Sequence, residues 1–294
     1  MKEPLLSIII PTYNRPHLLS RAVNSALNQT REDLEVIVVD DASTEPFKLP
    51  KHPRLKIIRQ QENRGGAAAR NLGARLARGR WITYLDDDDE LLPHMAQVSL
   101  EALSQTNLPQ PVALLSGLEE VNEDGRVLQK RIPPTILRGG YFCLEKIKKD
   151  KSFHTKQTMV VERKLLLEIG GFDESFSSRV HTELFLRLNP ICSLYGLPVV
   201  TYRLTKHQGK RVSSNPLLRQ RNFNRLLSKH RQIFETNPKM FANFIYDHAI
   251  ESYKLGQKKA ALKSIGWAMR LHPFHTFARM GSPFKRGFLN LIAG

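Results

Sequence analysis

The residues best suited to chemistry in this chain are four consecutive aspartates, Asp86 to Asp89. They follow Trp81–Leu85, a short apolar run typical of a buried strand. Carboxylates this close raise one another's pKa, so a fold tolerates them best when a cation lies among them. Mg²⁺ or Mn²⁺ is the natural candidate, because both prefer carboxylate oxygen and keep open positions for phosphate oxygens. A solvated acidic loop, or a helix N-terminus that favours carboxylates, is the alternative explanation.

The composition points to anionic partners. The 294 residues include 45 lysines and arginines against 28 acidic residues, a formal net charge of +17. Such a balance favours nucleotide phosphates, nucleic acid or an anionic membrane surface. Nucleic acid is disfavoured as a partner, because aromatic residues are only 8% and the basic residues are dispersed without a recognisable reading module.

The location predicted from the sequence is cytoplasmic, with peripheral attachment to the inner face of the membrane as an option. Two cysteines are too few for a disulfide framework and fit a reducing compartment. No apolar run approaches the roughly 20 residues that span a bilayer, and the N-terminus does not have the pattern of a signal peptide.

Strand and helix patterns alternate over the first hundred residues, which predicts a doubly wound α/β sheet. In such sheets ligands bind outside the carboxyl ends of the strands. Three separated motifs, PTYNR, DDAS and the acidic run, fall at such ends and are predicted to meet in one crevice. The predicted strands are Leu5–Ile10, Glu35–Val39, Leu55–Ile58 and Trp81–Leu85, and the predicted helices are Arg15–Gln29, Gly65–Ala77 and Pro93–Leu103.

The remaining chain is less regular. Short strands are predicted at Val112–Leu115, Met159–Val161 and Val199–Tyr202, and helices at Arg163–Ile169 and Glu183–Leu188. Residues 216–271 are mostly helical in pattern, with a break near Asn237-Pro238. We therefore expect a catalytic domain over residues 1–215, with a nucleotide-binding half at about 1–110 and an acceptor half at about 111–215. A helical extension with a basic amphipathic tail would follow over residues 216–294.

Four motifs, in this order and spacing, resemble glycosyltransferase family 2. They are SIIIPTYNR at Ser7–Arg15, VIVVDDAS at Val36–Ser43, NRGGAAARN at Asn63–Asn71 and LDDDD at Leu85–Asp89. GGFDE at Gly170–Glu174, ELFLRL at Glu183–Leu188 and TYRLTKH at Thr201–His207 extend the resemblance to roughly residues 5–213. It implies the GT-A fold, a Rossmann-like mixed sheet flanked by helices that binds a nucleotide-diphospho-sugar through a metal. It also implies inverting transfer, with UDP as the expected nucleotide, to a saccharide or lipid-linked saccharide acceptor in cell-surface glycan synthesis.

The resemblance assigns the nucleotide pocket to the first two motifs. Thr12, Tyr13 and Arg15 would line it, and Pro11 would help to wall in the base. Asp41 would meet an N–H of the base with Asp40 beside it, although a turn cap is the alternative for this pair.

The phosphate and metal positions follow in the same way. Gly66 would allow close backbone approach, and Arg70 would reach the pyrophosphate or the aspartates. The family's D-x-D pattern maps onto Asp86, which would hold ribose or a metal-bound water, and Asp88, which would bind Mn²⁺ or Mg²⁺ directly. Asp87 is assigned to donor binding between them, and His207 matches a further metal ligand.

The catalytic base is where the sequence departs from the family. The resemblance predicts a Glu-Asp pair just before ELFLRL, but Val180-His181 stands there. An imidazole near its unperturbed pKa of about 6.5 can take the proton of an acceptor hydroxyl, so His181 is one candidate base. Glu183 is the other and Glu174 a third. A protein that binds the donor without turnover is the alternative function, and a nucleic-acid-binding protein a more distant one.

Overall fold

A computed structural model of the chain describes residues 3–142, 144–206 and 215–280. The chain forms two compact units. The first comprises residues 1–142 and 147–209, and the second residues 143–146 and 210–294.

The first unit is built on a mixed sheet, which has nine strands within the described residues. They are β1 (Leu6–Thr12), β2 (Leu34–Asp40), β3 (Leu55–Arg59), β4 (Trp81–Tyr84), β5 (Glu90–Leu91), β6 (Val112–Val121), β7 (Val127–Arg131), β8 (Val160–Glu162) and β9 (Ser193–Thr205). Their order is β3-β2-β1-β4-β8-β6-β9-β5, and β7 pairs with β6. Strands β1 to β4 are parallel, whereas β8 runs antiparallel to both β4 and β6.

Five helices accompany this sheet in the described part of the first unit: α1 (Pro16–Leu27), α2 (Gly66–Leu76), α3 (Met95–Gln105), α4 (Arg163–Glu168) and α5 (Val180–Leu188). All residues of β1 and β2 are buried. The apolar stripe of α1 packs into the same core, as its helical spacing predicts. Every helix and strand predicted in the first hundred residues begins and ends within two residues of the predicted positions.

Strands β6 and β9 are much longer than the segments predicted for them, and strands β5 and β7 were not predicted. Strand β6 continues through Ser116, Glu119 and Glu120, all buried, and these polar residues hide its continuation in the sequence. The structure satisfies the two carboxylates with cations from neighbouring strands: Glu119 pairs with Arg203, and Glu120 pairs with Arg131. Burial of these carboxylates therefore depends on long-range partners that no local pattern reveals.

The described part of the second unit is helical and contains α6 (Pro216–Lys229), α7 (Arg231–Thr236), α8 (Pro238–Lys254), α9 (Lys258–Leu271) and α10 (Pro273–Arg279). The predicted break at Asn237-Pro238 separates α7 from α8. Helices α8 and α9 pack closely against each other, and both bury small and apolar residues, among them Ala249, Ala261 and Ile265. Among the described residues, no helix is both long enough and apolar enough to cross a membrane.

Candidate active site

The three motifs predicted to meet do so at one edge of the parallel half of the sheet. Thr12 at the end of β1 lies beside Asp40 at the end of β2, and Ile9 in β1 lies beside Tyr84 at the end of β4. The residues after these strands therefore emerge side by side, which is the usual place for ligands in an open α/β sheet.

Three of the four aspartates form a cluster that could hold a metal ion. Asp86, Asp88 and Asp89 each offer one carboxylate oxygen, and these atoms all lie within 4.8 Å of one another. Asp89 is buried and accepts hydrogen bonds from Tyr202 Oη (2.8 Å) and the Thr205 backbone N–H (2.9 Å). Burial, followed by the charges of Asp86 and Asp88, raises the pKa of Asp89 well above its usual value. A divalent cation would relieve this repulsion.

Asp87 points to a different set of partners and is not part of that cluster. Its Oδ2 accepts a hydrogen bond from Thr12 Oγ1 (2.8 Å), and its Oδ1 lies 3.1 Å from Arg15 Nη1. The same Arg15 nitrogen lies 3.1 Å from Asp88 Oδ2. Burial raises the pKa of Asp87 to about 6, although Thr12 and Arg15 act in the opposite direction. Asp87 thus joins the acidic run to the PTYNR motif.

Asp86 contacts the arginine of the third motif. Arg70 Nη2 donates a hydrogen bond to Asp86 Oδ1, and Arg70 Nη1 donates to the Gly66 carbonyl oxygen (3.1 Å). A Cβ at Gly66 would come within 2.9 Å of Arg70 Nη1, so the glycine leaves room for the folded-back guanidinium. Burial raises the pKa of Asp86, but Arg70, His181 and Arg15 outweigh it and hold the pKa below its usual value.

His181 lies in the first turn of α5 and interacts electrostatically with both Asp86 and Arg70. Its ring meets the ring of Phe172 edge to face, with 5.4 Å between centroids. Burial, with help from Arg70 and Lys156, lowers the pKa of His181 to about 3, against the opposing effect of Asp86. The expectation of a pKa near 6.5 is therefore wrong, because the imidazole is partly buried and lies near cationic side chains.

Glu183 is placed very differently from His181. Its side chain is fully buried, and its two carboxylate oxygens accept hydrogen bonds from Arg187 Nε (2.8 Å) and Nη2 (2.6 Å). Arg187 also donates to the carbonyl oxygen of Gly171 (2.7 Å). This geometry corrects the assignment of Glu183 as an alternative base, because a buried carboxylate held by a bidentate arginine cannot reach an acceptor hydroxyl. Its contacts make it an anchor for the loop that follows α4.

That loop carries the GGFDE motif and is clamped to α2 by Asn71. The Asn71 side chain donates to the Phe172 carbonyl oxygen (2.8 Å) and accepts from the Phe172 backbone N–H (2.8 Å). Gly171 has φ +64°, and a Cβ there would collide with Asn71 Oδ1, so this position requires glycine. Glu174 binds Asn71 Nδ2 (3.0 Å) and Arg64 (2.9 Å), which assigns it to the same clamp.

Asp40 at the end of β2 and Asp41 directly after it are buried and hold turns. Asp40 accepts from the Ser43 backbone N–H (2.9 Å) and Arg59 Nη1 (3.0 Å), as the turn-cap alternative predicts. Asp41 accepts from the Arg64 and Gly65 backbone N–H groups at 2.8 and 2.7 Å, which fixes the loop before α2. A contact of Asp41 with a base stays a prediction.

The other predicted pocket residues lie at the same edge. Pro11 is buried within β1, and Tyr13 just after it is 43% exposed. Asn14, which the sequence analysis did not single out, accepts from the Thr44 backbone N–H (2.8 Å) and ties the PTYNR turn to the DDAS turn. His207 lies outside the described residues.

The roles of Asn71, Phe172 and Tyr202, like that of Asn14, were not predicted from the sequence. Each residue stands inside one of the motifs described above, but each contacts another motif far away in the chain. Asparagine in a loop or near a helix start is common, so its residue type alone gave no signal of these contacts.

Comparison with known proteins identifies the family. Residues 7–165 match the model described as Glycosyl transferase family 2. An uncharacterized glycosyltransferase of Haemophilus influenzae is 29% identical over 186 residues, which cover 63% of this chain and 62% of that protein. Chondroitin synthase of Escherichia coli is 30% identical over 212 residues, 70% of this chain and 29% of that protein. The matched part thus spans less than two thirds of each of these relatives.

Solved structures show the same architecture. The crystal structure of Staphylococcus aureus TarS 1-349 in complex with UDP-GlcNAc superposes with a TM-score of 0.67 at 19% sequence identity. The superposition covers 93% of this chain and 83% of that chain. The fold is therefore the GT-A fold, with its mixed sheet and flanking helices, as the sequence motifs predicted.

Proposed function

Because this chain belongs to glycosyl transferase family 2, we propose that it transfers a sugar from a nucleotide-diphospho-sugar to an acceptor hydroxyl, with inversion at the anomeric carbon. The observation that carries this proposal is the position of His181 beside Asp86 and Arg70, at the strand ends where the acidic cluster lies. A base, cationic side chains and a cluster fit for a metal are then available to one reaction.

The donor proposed is a UDP-sugar. Thr12 and Arg15 both bind Asp87 and would line the nucleotide side of the site, with Pro11 and the exposed Tyr13 next to the base. Asp41 and Asp40 would complete this pocket from β2. The TarS complex supports the choice of nucleotide, because the ligand in that structure is UDP-GlcNAc.

A divalent cation, Mn²⁺ or Mg²⁺, fits the chain's own donor atoms. Asp86, Asp88 and Asp89 supply hard carboxylate oxygens within 4.8 Å of one another, and Asp89 has a raised pKa in their company. When bound, the metal would neutralise the diphosphate and so stabilise it as a leaving group. Arg15 and Arg70 flank the cluster and would add positive charge for the phosphates and keep the carboxylates oriented.

His181 is proposed as the general base. The acceptor oxygen forms a bond to the anomeric carbon while the bond from that carbon to the diphosphate oxygen breaks. The hydroxyl proton passes to the His181 imidazole, and the bonding electron pair leaves with the nucleoside diphosphate. A pKa of about 3 gives the imidazole the basicity of a carboxylate, the group that the resemblance expects at this position.

The acceptor is proposed to be a saccharide, free or linked to a lipid, in the synthesis of a cell-surface polysaccharide. The names of relatives support this, since they include chondroitin synthase of Escherichia coli and hyaluronan synthase of Pasteurella multocida. A lipid-linked acceptor would place the enzyme on the inner face of a membrane.

A transfer assay tests the proposal. A panel of UDP-sugars is incubated with Mn²⁺ and saccharide acceptors, and nucleoside diphosphate release is compared with and without acceptor. We expect acceptor-dependent release that His181→Gln lowers by about 10²–10⁴-fold while donor binding is kept. His17→Gln, a change at an exposed histidine of the same unit, is the matched control. Donor binding without release in the native protein would favour the binding-only alternative.

A further inference from the structure

The second unit carries more than half of the chain's excess charge. Residues 216–280 contain twelve lysines and arginines against three acidic residues. Three of these cations, Lys259, Lys263 and Arg270, recur at spacings of four and seven along α9 and are exposed on one face. The opposite face, with Ala261 and Ile265, is buried.

This cationic stripe lacks neutralising partners among the described residues. Neither Lys259, Lys263 nor Arg270 forms an ion pair with an acidic side chain of residues 3–142, 144–206 or 215–280. The Arg270 guanidinium instead lies over the half-buried ring of Trp267, 5.9 Å from its centroid and on the same face. A tryptophan among unpaired cations is typical of a helix in contact with a membrane interface.

Helix α10 follows α9 directly and adds exposed aromatic residues to the second unit. It is docked through Thr276, which is buried and donates to the Ala268 carbonyl oxygen (3.0 Å), and through Met280, which is also buried. The other side of α10 presents Phe274, 86% exposed, and Phe277, 44% exposed. Docking of α10 therefore does not use the Phe274 ring.

The ring of Phe274 is exposed to water, which is unfavourable for an apolar side chain, and contact with an apolar surface would remove this cost. We propose that the outward faces of α9 and α10, here called the basic-aromatic face, bind an anionic lipid bilayer. Lys259, Lys263 and Arg270 would meet the headgroups, and Trp267 and Phe274 would enter the boundary between headgroups and acyl chains. The inference does not depend on the donor or the base assigned above.

A bilayer is favoured over a nucleic acid because the sequence that follows is aliphatic as well as aromatic. Residues 281–294 contain Phe284, Phe288, Leu289, Leu291 and Ile292 with Lys285 and Arg286, and no acidic residue. Aliphatic side chains gain nothing from stacking on bases but add to burial in a bilayer.

Vesicle binding by the full-length chain tests the proposal. Flotation is measured with vesicles of phosphatidylcholine alone and with vesicles that also contain phosphatidylglycerol, at low and high salt. We expect binding to the anionic vesicles only, weakened by salt. Loss of two headgroup contacts in Lys259→Gln/Lys263→Gln should weaken it about 25-fold, since each lysine near the surface contributes about fivefold. Phe274→Ser should weaken it by about tenfold through lost apolar burial.

Matched controls keep this result specific. Lys48→Gln/Lys51→Gln removes the same charge from exposed positions of the first unit. Leu217→Ser removes an apolar side chain that is 78% exposed on α6. The proposal is overturned if either test variant binds vesicles as tightly as its control. It is equally overturned if the lysine variant loses binding to duplex DNA or RNA but not to vesicles, because the face would then be a nucleic-acid surface. UDP binding, measured in parallel, should be the same in all five proteins, so failure of the proposed function would be seen separately.

Discussion

The most direct test of the site concerns the titration of His181. Burial and the nearby Arg70 and Lys156 lower its pKa to about 3, so the imidazole is neutral throughout the physiological pH range. With an unperturbed pKa of about 6.5, only about 3% of the base would be neutral at pH 5, and turnover would fall about 30-fold from pH 8. With a pKa of about 3, nearly all of it stays neutral at pH 5, and we expect no loss of turnover from this group.

The assay is kcat at saturating UDP-sugar, Mn²⁺ and acceptor from pH 8 to pH 5, for the native enzyme, His181→Asp and His181→Gln. His181→Asp restores the carboxylate that the resemblance expects, so it should keep measurable turnover with an equally flat profile above pH 5. An acid limb near pH 6.5 in the native enzyme that is absent from His181→Asp would refute the reasoning.

The unfolding free energy offers a second readout. Because the pKa of His181 is lower in the folded than in the unfolded protein, the contribution of His181 to the unfolding free energy is fully present above pH 6.5 and is lost as pH falls towards 3. The unfolding free energy of His181→Gln should lack this part of the pH dependence.

Three further outcomes are expected. Asp88→Asn should abolish Mn²⁺-dependent binding of UDP, while the apo protein keeps or slightly gains melting temperature because a crowded negative charge is removed; unchanged Mn²⁺ dependence in calorimetry would contradict the ligand assignment. Asn71→Ala should destabilise the fold by about 2 kcal/mol through lost hydrogen bonds to Phe172 and lower kcat more than donor affinity; equal loss in both would point to a general structural effect. Glu183→Gln should cost about 3 kcal/mol in denaturant unfolding because Arg187 loses its buried partner; a stable but inactive variant would return the role of base to Glu183.

The fold of the first hundred residues was predictable because local patterns and tertiary structure agree there. Strands β1 and β2 are buried on both faces and read as continuous apolar runs, and α1 buries the stripe that its spacing shows. The convergence of three motifs followed from topology alone, since parallel strands carry their carboxyl ends to the same edge. The extents of β6 and β9 were not predictable, because their buried polar residues are satisfied by side chains distant in sequence.

The role of each single aspartate in the acidic run could not be predicted from the sequence. Asp86, Asp87, Asp88 and Asp89 are chemically identical and adjacent, yet the backbone turns them to different partners. Asp87 faces Thr12 and Arg15, whereas Asp89 faces Tyr202 and the end of β9. A D-x-D pattern selects the first and third positions but gives no information on the fourth, which completes the cluster only because β9 returns beside it.

Contacts between residues distant in sequence also explain why GGFDE and NRGGAAARN occur together. Asn71 is useful only if a backbone with free N–H and carbonyl groups passes next to it, and Phe172 supplies both. That approach is possible only with glycine before the phenylalanine, because a side chain at Gly171 would collide with Asn71. The clamped Phe172 ring then contacts His181, and its face lies 5.9 Å from the Arg70 guanidinium, so the clamp orients the proposed base and a flanking cation together. The two motifs therefore form one structural unit that positions His181, the proposed base, and Arg70, and each motif depends on the other for this role.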